Sequence, residues 1–214
     1  MLFITKLFEW QKVSKTIKGQ NMEYLDKLRE QAKEKYIPII KDDGCEFLVE
    51  FCKRNNFQNI LEIGTAVGYS GAKMLLCLQN AHLTTIEIDK EMYDKAKVTF
   101  EELDLTNRVT QILGDAKEII KTLDTKFDFI FMDGPKGQYL AYYESLLNLL
   151  CSGGYILCDN VYFHGLVLGE EFVKHKLRTI VVNMRKFLDF IQNDKRVNVQ
   201  ILDKADGIAI IQKK

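Results

Sequence analysis

From residue 59 onward, apolar runs of strand length alternate with segments whose apolar positions recur at helical spacing. The pattern predicts strands over Asn59–Ile63, Leu83–Ile88, Val109–Leu113, Phe127–Met132 and Tyr155–Cys158. Between them it predicts helices over Ser70–Gln79, Lys90–Leu103, Ala116–Leu123 and Tyr139–Leu150. In the first of these, Met74, Leu75 and Leu78 share one face. Apolar strands in β-α-β-α order make a mostly parallel sheet covered on both faces. The tail differs. A helical pattern over Ile180–Gln192 is followed by strands over Val197–Leu202 and Gly207–Gln212, joined by Asp203-Lys204-Ala205-Asp206. So short a join closes only a hairpin, so the last strand runs antiparallel to its partner. Ahead of residue 59 the chain is helical and amphipathic, with stripes Met22, Leu25, Leu28, Ala32 and Phe47, Leu48, Phe51, Cys52. The expected architecture is α/β: a seven-stranded mostly parallel sheet, helices on both faces and a C-terminal antiparallel hairpin. Residues 1–58 are expected to form a helical N-terminal cap and 59–214 the core of a single domain spanning 1–214.

Composition supports this picture. A chain of 214 residues is about one domain. With 47% hydrophobic and 28% charged residues it can bury a core, which excludes disorder over most of its length. The longest uncharged stretch, Ser145–Cys158, has 14 residues and contains Gly153 and Gly154; a membrane span needs roughly 20. The opening Met-Leu-Phe-Ile-Thr-Lys is too short an apolar run for a secretory signal. Thirty basic and thirty acidic residues cancel, which removes a general basic coat for nucleic acid and leaves room only for a local patch. The five cysteines form no C-x-x-C pair and are odd in number. That points to a reducing cytoplasm and against a disulfide framework or structural zinc.

The candidate chemistry lies at the strand ends. The first strand runs into Glu62-Ile63-Gly64-Thr65-Ala66-Val67-Gly68-Tyr69-Ser70. Glycine there lets the backbone turn sharply and approach a ligand. A dinucleotide fingerprint requires a central glycine for the pyrophosphate, and this chain has Ala66 there. Glu62 could take the ammonium of an amino-acid ligand. Glu87, 23 residues after Gly64, ends the second strand, where a carboxylate accepts ribose hydroxyls. Asp115, in Gly114-Asp115-Ala116, ends the third, where an adenine amino group would lie. Three acids around a glycine loop suit a nucleoside without phosphates, and S-adenosylmethionine is such a ligand.

The fourth strand ends in Asp133-Gly134-Pro135-Lys136-Gly137-Gln138-Tyr139 and the fifth in Asp159-Asn160. The carboxyl ends of strands converge on the ligand crevice of such a sheet. Asp133, Asp159 and Asn160 therefore offer three oxygen ligands suited to Mg²⁺, or Mn²⁺, rather than zinc. Lys136 follows on the same loop; beside a divalent cation its pKa would fall and it could serve as a base.

At this point the stretch from about Ile37 to Lys213 resembles the cation-dependent, class I S-adenosylmethionine O-methyltransferases of the catechol and caffeoyl-CoA type. The resemblance implies a Rossmann-like methyltransferase fold. It implies cofactor contacts at Glu62, Gly64, Ser70, Glu87, Gly114, Asp115, Ala116 and Asp133, and loosely at Ile40. It assigns the metal to Asp133, Asp159 and Asn160, and catalysis to Lys136 and Asp133, with Lys136 or a water on the cation as base. Within the family, Asp-Gly-Pro-Lys-Gly-Gln-Tyr followed by Asp-Asn-Val is most similar to bacterial tRNA 5-hydroxyuridine methyltransferases, which implies tRNA as the partner.

Charge patterning bears on that partner. Residues 1–20 and 170–196 are each net +3; the second holds Lys174, Lys176, Arg178, Arg185, Lys186, Lys195 and Arg196 against four acids. Such a segment near the site could meet phosphates, and Tyr162 or Phe163 could stack on a base. A small catechol-like phenol is the competing acceptor. A Rossmann-type oxidoreductase is the competing chemistry, against which Ala66 and the Asp133/Asp159/Asn160 set count. A binding module that keeps only the fold is the non-catalytic alternative. A homodimer is expected from the apolar N-terminal faces and the resemblance.

Overall fold

The computed structural model describes residues 19–169 and 174–214. The chain divides into two compact units, Met1–Ile39 and Ile40–Lys214. In the first, helix α1 covers residues 19–34. Leu25 and Ala32 of its predicted stripe are buried, and Glu23–Lys27 and Glu30–Lys33 ion pairs lie on its exposed side. The helix stops because Tyr36 takes φ 54°, with Ile37 N donating to Ala32 O at 2.9 Å and Tyr36 N to Lys33 O at 3.1 Å. This is a Schellman closure with tyrosine where glycine is usual.

The second unit begins with α2 (Asp42–Asn55), then β1 (Asn59–Ile63), α3 (Tyr69–Cys77), β2 (His82–Glu87), α4 (Lys90–Glu102), β3 (Val109–Leu113) and α5 (Ala116–Ile119). It continues with β4 (Phe127–Met132), α6 (Tyr139–Leu149), β5 (Leu150–Cys158), α7 (His175–Asn193), β6 (Val197–Leu202) and β7 (Ile208–Lys213). The seven strands are ordered β3-β2-β1-β4-β5-β7-β6. β1 to β5 pair in parallel, and β7 lies antiparallel between β5 and β6. The α/β sheet and its C-terminal hairpin are thus as the hydrophobic pattern requires. Strand order reverses between β1 and β4, which is where open α/β sheets open a ligand crevice. α2, grouped with the N-terminal helices on sequence, belongs to the same compact unit as the sheet.

The strands are apolar because both faces are covered. On one face Tyr139, Tyr143 and Phe187 form fully buried edge-to-face pairs. Elsewhere Phe57 stacks on Phe129 at 4.5 Å, and Phe51 meets Tyr155 edge-on at 5.3 Å. Three elements differ from the sequence expectation. β5 starts at Leu150 rather than Tyr155, because the register shift between Phe127 and Phe129 absorbs Gly153 (φ 78°) as an irregularity within the strand. α5 is a single turn continued by a tighter turn over Ile120–Thr122. α7 starts five residues early, at His175, since its first turn is polar and carries no stripe.

Candidate active site

The ladder of sheet hydrogen bonds continues one residue past four strand ends. Gly64 N donates to Ile86 O at 3.0 Å, Gly114 N to Glu87 O at 2.8 Å, Asp133 N to Ile63 O at 3.0 Å and Asp159 N to Met132 O at 3.1 Å. Gly64, Gly114, Asp133 and Asp159 are therefore fixed by main chain, not by loop geometry. Gly64 sits at φ 95°, and a Cβ there would fall 2.9 Å from Asp133 O. Glycine is what lets the ends of β1 and β4 come together.

On the β1–β3 side, Ala66 (φ 45°) and Gly68 (φ 80°) shape the turn into α3. Glu87 closes it: Oε2 accepts from Ala66 N at 2.8 Å, while Oε1 accepts from Ile88 N and Asp89 N, both at 2.9 Å. Gly114 lies beside it, Ala116 is buried, and Asp115 is exposed and caps α5 by accepting from Lys117 N at 2.9 Å. Glu62 departs from its expected role. It is fully buried, with Ser70 Oγ donating to Oε1 at 2.6 Å and Thr85 Oγ1 donating to Oε2 at 2.7 Å. Its oxygens, and the Ser70 hydroxyl, brace the turn from beneath instead of facing a ligand ammonium. Ile40 is buried near the start of α2. A Cβ on Gly44 would lie 3.3 Å from Ile40 Cγ1 and 3.6 Å from Asp159 Oδ1, so this segment stands beside the Asp159 carboxylate.

On the β4–β5 side, Lys136 Nζ donates to Asp133 Oδ1 at 2.7 Å, to Tyr139 Oη at 2.9 Å and to Asp159 O at 3.1 Å. Tyr139 Oη itself donates to Met132 O at 2.8 Å. The lysine and its carboxylate partner are mostly covered, at 14% and 20% side-chain exposure. Burial opposes the ammonium, but the Tyr139 oxygen and the Asp133 carboxylate outweigh it and hold Lys136 above its ordinary pKa. In the chain alone the shift is thus opposite to the fall expected beside a cation. Asp159 is 1% exposed, and among the described residues neither carboxylate oxygen has a hydrogen-bond partner of normal geometry. Burial first, then the nearby Asp133 charge, push its carboxyl up to about 6.

The O-methyltransferase family model matches residues 14–214. The chain belongs to the O-methyltransferase family. It is 29% identical over 206 residues to a caffeoyl-CoA O-methyltransferase of Populus kitakamiensis, covering 89% of this chain and 86% of that one. Among solved structures, a Staphylococcus aureus protein described as a candidate caffeoyl-CoA O-methyltransferase superposes with a TM-score of 0.84 at 30% identity, over 89% of this chain and 92% of that chain. A Bacillus cereus O-methyltransferase in complex with SAH superposes with a TM-score of 0.79 at 27% identity, over 89% and 90%. The enzyme class is that of the S-adenosylmethionine-dependent O-methyltransferases, on a Rossmann-like fold.

Does the family's cation suit these residues? Among the described residues no group of three or more His, Cys, Asp and Glu side chains is placed to hold a metal. The expected set has two carboxylates and one amide, all hard oxygen donors. A buried carboxylate with no partner is costly, and the unpartnered Asp159 beside Asp133 is what a divalent cation would relieve. The residues fit.

Sequence reasoning missed Tyr139, Thr85 and Asp206. Tyr139 passed for an ordinary helix aromatic, and Thr85 for a strand residue. Asp206 accepts from His164 N at 2.6 Å and Gly165 N at 3.3 Å, and so pins the loop that follows Asn160. Further along its described part Arg185 donates to the carbonyls of Leu166, Val167 and Gly169. Tyr162, a candidate for base stacking, instead packs on Gly207, where a Cβ would fall 2.5 Å from its ring. Of the basic patches, residues 1–18 and 170–173 lie outside the described residues. Arg185 is used by the loop and Arg196 pairs with Glu144 and Asp194, whereas Lys174, Lys176 and Arg178 are exposed. Among the described residues no helix is long and apolar enough to cross a membrane.

Glu62 has a measurable consequence. Burial first, against the Ser70 and Thr85 hydrogen bonds, raises its pKa from 4.5 to about 7. A carboxyl with a raised folded pKa favours folding most below 4.5, and that contribution is lost as pH rises through about 7. Melting temperature is expected to fall across this window by an amount equivalent to at most about 3 kcal/mol. Glu62→Gln is expected to flatten the profile; an unchanged slope in the variant would refute the assignment.

Proposed function

We propose that this enzyme methylates one of two adjacent oxygens on its acceptor, with Mg²⁺ or Mn²⁺ held by Asp133, Asp159 and Asn160. The observation that carries the reading is the buried, unpartnered Asp159 carboxylate next to Asp133. S-adenosylmethionine supplies the methyl group, with Gly64, Glu87, Gly114, Asp115 and Ala116 as its seat, backed by Glu62 and Ser70 and, more loosely, Ile40. A cation at the acidic set would supply Lewis acidity, lowering the pKa of a chelated hydroxyl. Lys136 Nζ is held at a fixed point by Asp133, Tyr139 and the Asp159 carbonyl. As an ammonium it can orient the acceptor's hydroxyl or a water; beside a bound cation it would release its own proton to solvent more readily, and the neutral amine could then take the hydroxyl proton. Much of the rate gain is then positioning.

For the acceptor we propose 5-hydroxyuridine in tRNA, at the wobble position, whose 5-hydroxyl and 4-carbonyl are adjacent oxygens. The Asp133–Tyr139 and Asp159–Val161 motifs support it. So do the exposed Lys174, Lys176 and Arg178 at the start of α7, since Asn183 Nδ2 of that helix donates to Gly137 O at 3.1 Å, beside Lys136. A small phenol with vicinal hydroxyls is the second reading. It is favoured by the name of the Populus relative and by the internal use of Arg185 and Arg196. We further read residues 1–214 as one methyltransferase domain in a cytoplasmic homodimer, in keeping with five free cysteines. The test is nucleoside mass spectrometry of tRNA from cells with and without the gene. Loss of 5-methoxyuridine with build-up of 5-hydroxyuridine is expected. An unchanged nucleoside profile, together with cation-dependent turnover of catechols, would move the acceptor to phenols.

A further inference from the structure

Two thiols lie on facing helices, at the ends away from the strand ends that carry the site. α2 packs against α3; the start of α2 lies by Asp159 and α3 starts at the Gly68 turn. Cys52 is near the far end of α2 and Cys77 is the last residue of α3. Cys77 Sγ donates to Met74 O at 3.1 Å and lies 3.9 Å from Val49 O. Val49 is one turn before Cys52 on α2, so its carbonyl points along the helix toward the level of Cys52. The Cys77 thiol is thereby set against α2 one turn from Cys52, close enough that each thiol shifts the other's titration. Cys52 is fully buried whereas Cys77 is partly exposed. One member of the pair is therefore reachable and the other protected.

We infer that Cys52 and Cys77 form a redox-active dithiol, converted by hydroperoxides into a disulfide that staples α2 to α3. The Cys77 thiolate attacks the peroxide O–O bond, forming an S–O bond and releasing hydroxide or alkoxide. The Cys52 thiol then displaces hydroxide from the resulting sulfenic acid, so that an S–S bond forms and water leaves. Two thiols are oxidised and one peroxide is reduced. The division of roles follows from the surroundings. Cys77 is the thiol a peroxide can reach, with the Lys53 ammonium nearby to favour its thiolate, whereas Cys52 is closed off from solvent and resolves. The site is independent of the methyl-acceptor reading.

The test is titration of the intact protein with hydrogen peroxide, then alkylation and non-reducing peptide mapping. The expected product is a Cys52-containing peptide linked to a Cys77-containing peptide. It should form at one peroxide per chain, revert with dithiothreitol, and be accompanied by a higher melting temperature. In Cys77→Ser, Cys52 is expected to stay reduced and unalkylated under the same conditions. Over-oxidation of Cys77 with Cys52 still a free thiol would overturn the inference. So would preferential linkage through Cys45, Cys151 or Cys158, or no reaction at either residue. Should Cys77→Ser fail to fold, Cys52→Ala serves instead: Cys77 should then stop at a trappable sulfenic acid.

Discussion

Asp133→Ala is expected to abolish methyl transfer and divalent-cation binding together. Among the described residues Asp133 is the acid that acts on both the buried Asp159 carboxylate and the Lys136 ammonium, at 2.7 Å from the latter. Removing it leaves Asp159 as the sole carboxylate for a cation and frees Lys136 from its ionic anchor. The fold is expected to survive, because the contact that places residue 133 in the sheet is Asp133 N to Ile63 O, a main-chain bond the substitution keeps. A loss of at least about 10³-fold in kcat/KM is expected, roughly 4 kcal/mol of transition-state stabilisation. Turnover should be read alongside Mn²⁺ binding by electron paramagnetic resonance and a far-ultraviolet spectrum. Full turnover of the variant in the presence of chelator would sink the cation reading.

Lys136→Met should be nearly as damaging, through kcat. The side chain is replaced by one of similar reach without the ammonium, while Tyr139 keeps its own bond to Met132 O at 2.8 Å. General-base contributions of this kind are worth about 10² to 10⁴-fold. The KM for S-adenosylmethionine is expected to change little, because Gly64, Glu87 and Asp115 belong to other strand ends. Single-turnover kinetics with saturating cofactor separates the two effects. A variant within about threefold of the parent would remove Lys136 from the chemistry and leave it as a structural partner of Asp133.

The sheet was legible because parallel strands covered on both faces are largely apolar, as in β4, where five of the six residues are buried; β1 and the edge strand β3 were bounded with the help of the polar turns that flank them. The rest was hidden for identifiable reasons. Two adjacent glycines ordinarily end a strand, and only the pairing of Leu150 with Phe127 shows that β5 runs through them. The acids at the strand ends could be found from spacing, but their orientation could not. Glu62 and Glu87 lie in similar sequence contexts, yet the first is turned under the loop by Ser70 and Thr85 and the second closes it from above. Tyr139 lies three residues from Lys136, and nothing in that spacing distinguishes a phenol that anchors the lysine from one that merely fills the core.

The way the loop after Asn160 is tethered bears on how such an enzyme could diversify. Its anchors are the Asp206 carboxylate and the Arg185 guanidinium, and both grip main-chain groups. Its exposed side chains, His164 and Leu168, take no part in those main-chain bonds, whereas Tyr162, Phe163, Leu166 and Val167 pack on the core. Asp133 and Asp159, by contrast, hang from the sheet ladder through Ile63 O and Met132 O. Change at the exposed positions of this loop is thereby separable from the acids at the strand ends. A lineage could rewrite His164 and Leu168 while inheriting the sheet-held acids intact.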